Sequence, residues 1–422
     1  MSTTSTDRPL RAPAAAPASA FWRYWAASTT SGLGDCVTQI ALPLTAVTVL
    51  HASGLQVGLV TAAGYVAWLV IGLPAGVLVQ RLPLRGTQIA MDLARAAAIA
   101  SVPLAAAFGV LGLPQLVAAA LVLSFASVVF DVGNATFLPS VVPPGQLTAR
   151  NSLTSATHAV NQLAGPSLGG LLVQLLGAAT ALVVDAVSFL CSAALLRTLP
   201  RSAAERPAPA ADRPSFGAQI REGWRYCTRH PVVGPCLAEA TCVNFVCGAL
   251  MAVIPLFLVR TAHAPAGLVG LLMAAEGVGS LVGAALTPRL AARLGTARAL
   301  RYGSLFGVLT APLMALAPGG PGLLLFALGN AGFGASVVVL SILTRTHRQS
   351  TTPAALLPRV MATVRFVSWG AIPVGALAAG AAASLWGPRT ALALACALTA
   401  LSPALLFASK LRGARDLTDV AA

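Results

Sequence analysis

A chain of 422 residues that is 57% hydrophobic and only 9% charged, with a mean hydropathy of +0.81, cannot be an ordinary soluble domain, where about a quarter of residues are charged. The formal charge of +15 would suggest nucleic acid in a soluble protein, but the basic residues, nearly all Arg, are confined to alternate gaps between apolar runs. That pattern argues against nucleic-acid binding and for an integral membrane protein.

The opening residues 1–20, MSTTSTDRPLRAPAAAPASA, lack the apolar core of a signal peptide and read as a disordered cytoplasmic tail. Apolar runs of about 20 residues, the length that crosses a bilayer, follow at 24–49, 55–79, 88–111, 114–138, 151–176 and 178–198. These six spans form a first unit, residues 21–199. A polar gap at 200–232 begins as a Pro- and Ala-rich linker and continues as SFGAQIREGWRYCTRHP. There Phe216, Ile220 and Trp224 recur every four residues beside Arg221, Arg225 and Arg229, which predicts an amphipathic helix, either on the membrane surface or docked on the bundle. Six further spans, 233–259, 266–288, 299–317, 321–344, 361–384 and 388–408, make a second unit, 233–410, and residues 411–422 are a second cytoplasmic tail.

The charges orient this array. Arg8, Arg11, Arg23, Arg81, Arg85, Arg150, the six arginines of the central gap, Arg289, Arg293, Arg298, Arg345, Arg348, Arg359 and Lys410 fall on one side; Arg260 and Arg389 fall on the other. The positive-inside rule therefore expects both termini in the cytoplasm, with the protein in the cell inner membrane. The two units also echo each other: GLPAGVLVQRLPLRG at 72–86 recurs in outline as GSLVGAALTPRLAARLG at 279–295, and Pro166 and Pro373 stand at the same offset of 207 residues. Two parallel six-span repeats are the construction of a rocking secondary transporter.

Glycines at small-xxx-small spacing, Gly72/Gly76, Gly165/Gly169 and Gly279/Gly283, are expected to form close helix seams that slide during transport. Pro166, within LAGPSLGG that also contains Gly170, can kink its span. That GPxxGG core resembles the antiporter signature of the major facilitator superfamily, with Asn161 where the signature would place another Gly. GVLVQRLPLRG resembles the superfamily's loop signature: Gly76, Arg81 and Arg85 match, while Gln80 and Leu84 replace an Asp and an Arg. FWRYWAASTTSGLGDCVTQIALPL, FDVGNATFLPSVVP, LVVDAVSFLCSAALL and LLPRVMATVRFVSWGAIPVGAL are similar to the macrolide-efflux-like, transmembrane secretion effector branch, near which the enterobactin exporter belongs. The resemblance covers Phe21 to about Lys410. It implies an all-α integral membrane fold of 12 transmembrane helices in two pseudo-symmetric six-helix bundles, with spans one, four, seven and ten lining a central cavity.

Ionisable groups at membrane depth are functional candidates. Asp35, Asp185 and Glu276 lie near the middles of spans one, six and eight, and Asp131 is somewhat off the middle of span four. Asp92, three residues before Arg95, reads as a structural ion pair, and Asp185 as a helix-to-helix hydrogen-bonding group. The cavity-lining spans put Asp35 and Asp131 ahead, with Glu276 intermediate. Asp35 is either a protonation site coupled to transport or a polar group pinning helix packing. Cavity walls are expected to include Tyr65, Trp68, Asn244, Phe245, Asn330 and Phe333.

Seven scattered cysteines without a CxxC pair, and five dispersed histidines, give no metal site. No HExxH, GxSxG or GxxxxGK[ST] string occurs, which argues against an enzyme or sensor and against direct use of ATP. The sequence therefore reads as a monomeric, proton-driven exporter that needs no cofactor. Its substrate is expected to be a hydrophobic or cationic small molecule such as an antibiotic or secondary metabolite. Siderophore export is the alternative, and a catecholate would favour basic cavity residues such as Arg95 and Arg365.

Overall fold

In lipid a chain has to close its backbone hydrogen bonds within each segment, which a helix does alone. The computed structural model describes residues 18–72, 74–75, 82–142, 147–199, 216–353 and 356–420, and every regular element among them is helical. The first bundle holds α1 (Ala18–Thr48), α2 (Gly54–Val70), α3 (Leu84–Ala107), α4 (Leu113–Val141), α5 (Leu147–Leu176) and α6 (Ala178–Arg197). The gap supplies α7 (Phe216–Arg229). The second bundle holds α8 (Val233–Leu256), α9 (Ala266–Leu294), α10 (Thr296–Thr310), α11 (Leu323–Thr351), α12 (Leu357–Trp386) and α13 (Pro388–Leu398). A π-turn extends α8 to Thr261; short helices at Pro312–Leu316 and Leu401–Phe407 extend α10 and α13.

Among the described residues nine helical segments are long and apolar enough to span a membrane. The other three helices of the bundles, α1, α2 and α5, are short or diluted by Gly, Thr, Ser and Asn. Small residues on these three make several of the tightest helix contacts.

The bundles meet along two seams, α2 against α12 and α5 against α9. Both close tightly on the face opposite the chain termini. On the first seam a Cβ at Gly58 would lie 2.6 Å from the Ala376 carbonyl oxygen, and one at Gly54 2.8 Å from that of Gly380. On the second seam the Cα atoms of Gly170 and Gly270 leave no room for a side chain on either. Arg260 donates to the Ala52 carbonyl at 2.5 Å, and the Leu55 amide donates to Ser384 Oγ at 2.8 Å, both across the bundles.

Apolar packing repeats the asymmetry. One hydrophobic cluster runs through both bundles on the closed face, including Leu44, Val57, Leu182, Val253, Leu256 and Val269. On the termini face the cores are separate: Phe21, Tyr24 and Phe130 belong to one, Leu300, Leu340 and Leu406 to another. The molecule is thus a pair of bundles joined tightly at one face and parting toward the other, where Trp68 of the first bundle still meets Trp369 of the second across the cleft.

α7 is docked on the bundle. Glu222 pairs with Arg359 of α12, Gly223 sits against the Arg359 carbonyl, and Cys227 is buried beside Val360. Trp224 of the expected apolar stripe is instead 48% exposed. His230 then starts α8, its Nδ1 accepting the Val232 and Val233 amides at 3.2 Å; burial lowers its pKa, in keeping with an unprotonated acceptor. The segment after α13 folds back: Leu411 and Leu417 are buried, and Asp416 accepts from the Thr296 amide at 2.8 Å.

Candidate functional site

The GLGD stretch in α1 is a packing device before it is a chemical one. A Cβ at Gly34 would collide with Ser188 Oγ and Asp185 Oδ1 of α6. On the other flank Gly165 of α5 presses on Cys36 and Gly169 on Val37. The small residues let α1 sink between α5 and α6, close enough for the Thr38 hydroxyl to donate to Asp185 Oδ2. Ser188 Oγ donates to Asp185 Oδ1 at 3.0 Å, so this fully buried carboxyl is a helix clamp.

Asp35 turns the other way, to α3, where Arg95 Nη1 stands 3.6 Å from its carboxylate. Arg95 is almost completely buried. Its guanidinium pairs with Asp92, lies 3.4 Å from Ser31 Oγ, and is sandwiched between Phe130 and Phe189 at 4.2 and 4.4 Å from the ring centroids. Removing a charge of this kind from water is costly unless it is paired and hydrogen-bonded, and this one has carboxylates at its edge and rings on both faces.

A second guanidinium sits on the bundle interface. Arg365 of α12 stacks on Trp68 of α2 at 4.0 Å and on Trp369 at 4.5 Å. The two indoles meet edge to face, their centroids 5.0 Å apart. Arg365 Nη2 is 4.0 Å from Asp131 Oδ2 of α4, an electrostatic pairing longer than a hydrogen bond.

These groups face one space. The side chains of Asp35, Asp131 and Arg365 are 38%, 50% and 47% exposed although each lies well inside its helix. Asp35 is within electrostatic reach of Asp131, and Tyr65 of both Asp35 and Glu276. The carboxyls of Asp35, Asp131 and Glu276 are partly accessible on this wall, with Arg365 beside Asp131 and Arg345 within electrostatic reach of Arg365, while Asp92 and Asp185 are buried behind it.

The sequence matches the profile described as transmembrane secretion effector over residues 10–421. The chain belongs to that family, within the major facilitator superfamily. An MFS-type transporter of Sinorhizobium fredii, y4rN, is 29% identical over 326 residues, covering 76% of this chain and 78% of its own. The multidrug efflux pump Tap of Mycolicibacterium fortuitum is 31% identical over 214 residues, covering 49% of this chain and 52% of its own. Among solved structures, the nucleoside transporter NupG superposes with a TM-score of 0.72 at 11% identity, over 94% of this chain and 99% of its own. The fold is therefore that of the major facilitator superfamily.

The residues expected at the site divide. Asp35, Asp131, Glu276, Tyr65, Asn244 and Phe245 are all accessible to some degree, and Trp68 is buried beneath Arg365. Asn330 and Phe333 do not line the cleft. Asn330 is buried and donates to the Leu272 carbonyl at 3.1 Å, tying α11 to α9, while Phe333 lines a small void among α8, α10, α11 and α13. Both lie on a helix whose cavity face cannot be read from an apolar run.

The seam glycines are also redistributed. Gly165 and Gly169 pack α5 on α1, and Gly279 and Gly283 pack α9 on α11, all within one bundle. Gly72 ends α2 against the backbone of Trp68. Among the described glycines of the expected set, only Gly170 lies between bundles, facing Gly270. Arg85 is likewise an intrabundle group: its guanidinium donates to the Leu196 and Arg197 carbonyls that end α6. Gly76 and Arg81 lie outside the described residues, as does the side chain of Pro166.

Sequence reasoning assigned Arg95 to Asp92 and missed that Asp35 shares it. It also missed Trp369, although Arg365 and Trp369 stand at i, i+4. A lone arginine inside an apolar span was the available signal for that pair. The Gly54/Gly58 spacing at the start of α2 was the signal for the first seam.

Proposed function

We propose that the protein is a secondary active exporter, a proton antiporter that moves hydrophobic or cationic small molecules out of the cell by alternating access. The observation that carries this reading is Asp35: a carboxylate at mid-helix, 38% exposed to the cleft, whose guanidinium partner is shared with Asp92. One positive charge beside two carboxylates leaves room for a proton, and the cleft supplies a path for it. Asp35 is the coupling carboxylate, Asp131 and Glu276 acidic wall groups, and Tyr65, Phe245 and the Trp68 region the apolar surface for substrate. The positive-inside distribution of arginines supports a cytoplasmic termini face, and with it a cytoplasmic mouth of the cleft, in an inner-membrane protein. Likeness to a multidrug efflux pump over half the chain supports the outward direction.

Alternating access is then a matter of the two seams. The glycine contacts at Gly54/Gly380 and Gly170/Gly270 are the closed face; transport requires them to part while the cytoplasmic mouth closes. The test is substrate-dependent proton release from everted vesicles, with Asp35→Asn alongside. Release by the native protein and none by the variant is expected; equal release by both overturns the role given to Asp35.

A second reading, export of an anionic siderophore, is favoured by Arg365, a half-exposed cation flanked by indoles. Arg95 offers no such support, since it is buried and committed to Asp92 and Asp35. Catecholate-driven proton release without release by organic cations would select that reading.

A further inference from the structure

We infer that the indoles of Trp68 and Trp369 together with the Asp131 carboxylate form a binding site for the head of an organic cation, occupied in this structure by the protein's own Arg365. The inference rests on the exporter reading and deepens it by naming its substrate class, a monovalent cation carried on an apolar body.

Three observations carry it. The first is geometry: a cation lying within about 6 Å of two indole faces is in the range where the ring quadrupoles attract it, and the guanidinium carbon is at 4.0 and 4.5 Å. The second is how loosely Arg365 is held. Its side chain is 47% exposed, its distance to Asp131 is 4.0 Å, and among the described residues its guanidinium donates no hydrogen bond within normal range. Arg301 and Arg389, which also lie near aromatic rings, each donate a hydrogen bond of normal length, to the Ala414 carbonyl at 2.9 Å and to that of Ala317 at 3.0 Å. The third is the carboxylate: Asp131 faces the indoles from the first bundle, so a cation that replaces the guanidinium finds a negative partner already in place.

The long, flexible Arg365 side chain can swing into the water of the cleft while a substrate cation takes its place in the notch of the indoles, on the side of Asp131. No bond is made or broken; one cation replaces another. The exchange also touches the bundle interface. Arg365 and Trp369 belong to α12, and Trp68 and Asp131 to the first bundle, so a substrate that displaces the arginine replaces a contact between the bundles with its own. A self-occupied site lowers apparent affinity by the fraction of time the arginine is in place. Removing the arginine should therefore tighten binding, whereas removing a ligand-contacting group weakens it.

The test is tetraphenylphosphonium binding to the purified full-length protein in lipid nanodiscs, measured by equilibrium dialysis. Arg365→Gln should tighten binding on the order of tenfold if the native side chain fills the cage about nine-tenths of the time. Arg365→Lys, which keeps the charge but not the flat stack, should show a smaller gain and serves if the glutamine variant does not fold. Adding Asp131→Asn to Arg365→Gln should cancel the gain, and Trp369→Leu alone should weaken binding. Binding that is unchanged or weaker in both Arg365 variants overturns the inference. So does catecholate binding to the native protein that is lost in Arg365→Gln, since Arg365 is then an anion ligand. If the Arg365 variants bind no tighter while proton release persists, the cage fails and the exporter stands; tighter binding with no substrate-driven proton release in the native protein gives the reverse.

Discussion

Arg95 and Arg365 are built from the same parts and differ in what surrounds them. Arg95 is sandwiched between two aromatic rings and Arg365 sits in the notch of two indoles that meet edge to face, and each lies beside an aspartate. Around Arg95 both rings and both carboxylates come from one bundle, and the side chain is 2% exposed. Around Arg365 the partners come from two bundles, and the side chain is 47% exposed. The same chemistry is a rivet where it is sealed within a rigid body and an exchangeable plug where it straddles two. Burial and bundle membership, more than residue type, separate the structural cation from the functional one.

The comparison breaks most sharply at Arg95. Arg95→Gln leaves Asp92 buried without its partner, which costs about 3–5 kcal/mol and should appear as a large fall in melting temperature of the detergent-solubilised protein, or as failure to accumulate in the membrane. A variant that melts like the native protein would mean the cluster is no rivet. Phe189→Leu keeps the ion pairs and removes one ring of the sandwich; a loss of about 1–2 kcal/mol is expected from a desolvated cation–π contact, read in the same melt. Arg365→Gln is expected to change the melt least, by about 1 kcal/mol or less, because an exposed pair contributes little. A drop there as large as that of Arg95→Gln would erase the distinction between the two sites.

Much of the architecture was legible in the sequence because bilayer thickness fixes the length of an apolar run. Each of the twelve expected spans overlaps a helix of the bundles, and nine helical segments among the described residues are long and apolar enough to cross a membrane. Asp35, Asp131 and Asp185 stood out because a carboxylate in an apolar run is costly. The direction in which each side chain turns was not legible. Nearly every face of these helices is apolar, so periodicity does not mark the cavity side, and Asn330 and Phe333 were misplaced for that reason. The glycine spacings announced close packing but not the partner: Gly279 meets Ala331 within its own bundle, whereas Gly170 meets Gly270 across the seam. The sharing of Arg95 between Asp92 and Asp35 depends on how deeply α1 sinks beside α6, which only the assembled bundle sets.

If the exposed carboxylate beside the buried rivet carries the coupled proton, transport should stop when that carboxylate alone is neutralised. The most direct measurement loads everted vesicles with an acid interior and follows its dissipation when tetraphenylphosphonium is added, for the native protein and for Asp35→Asn, with substrate binding measured in parallel. Release by the native protein, none by the variant, and binding retained in both are the expected results. Release of equal size from Asp35→Asn would contradict the role of Asp35 and move the coupling site to Asp131 or Glu276.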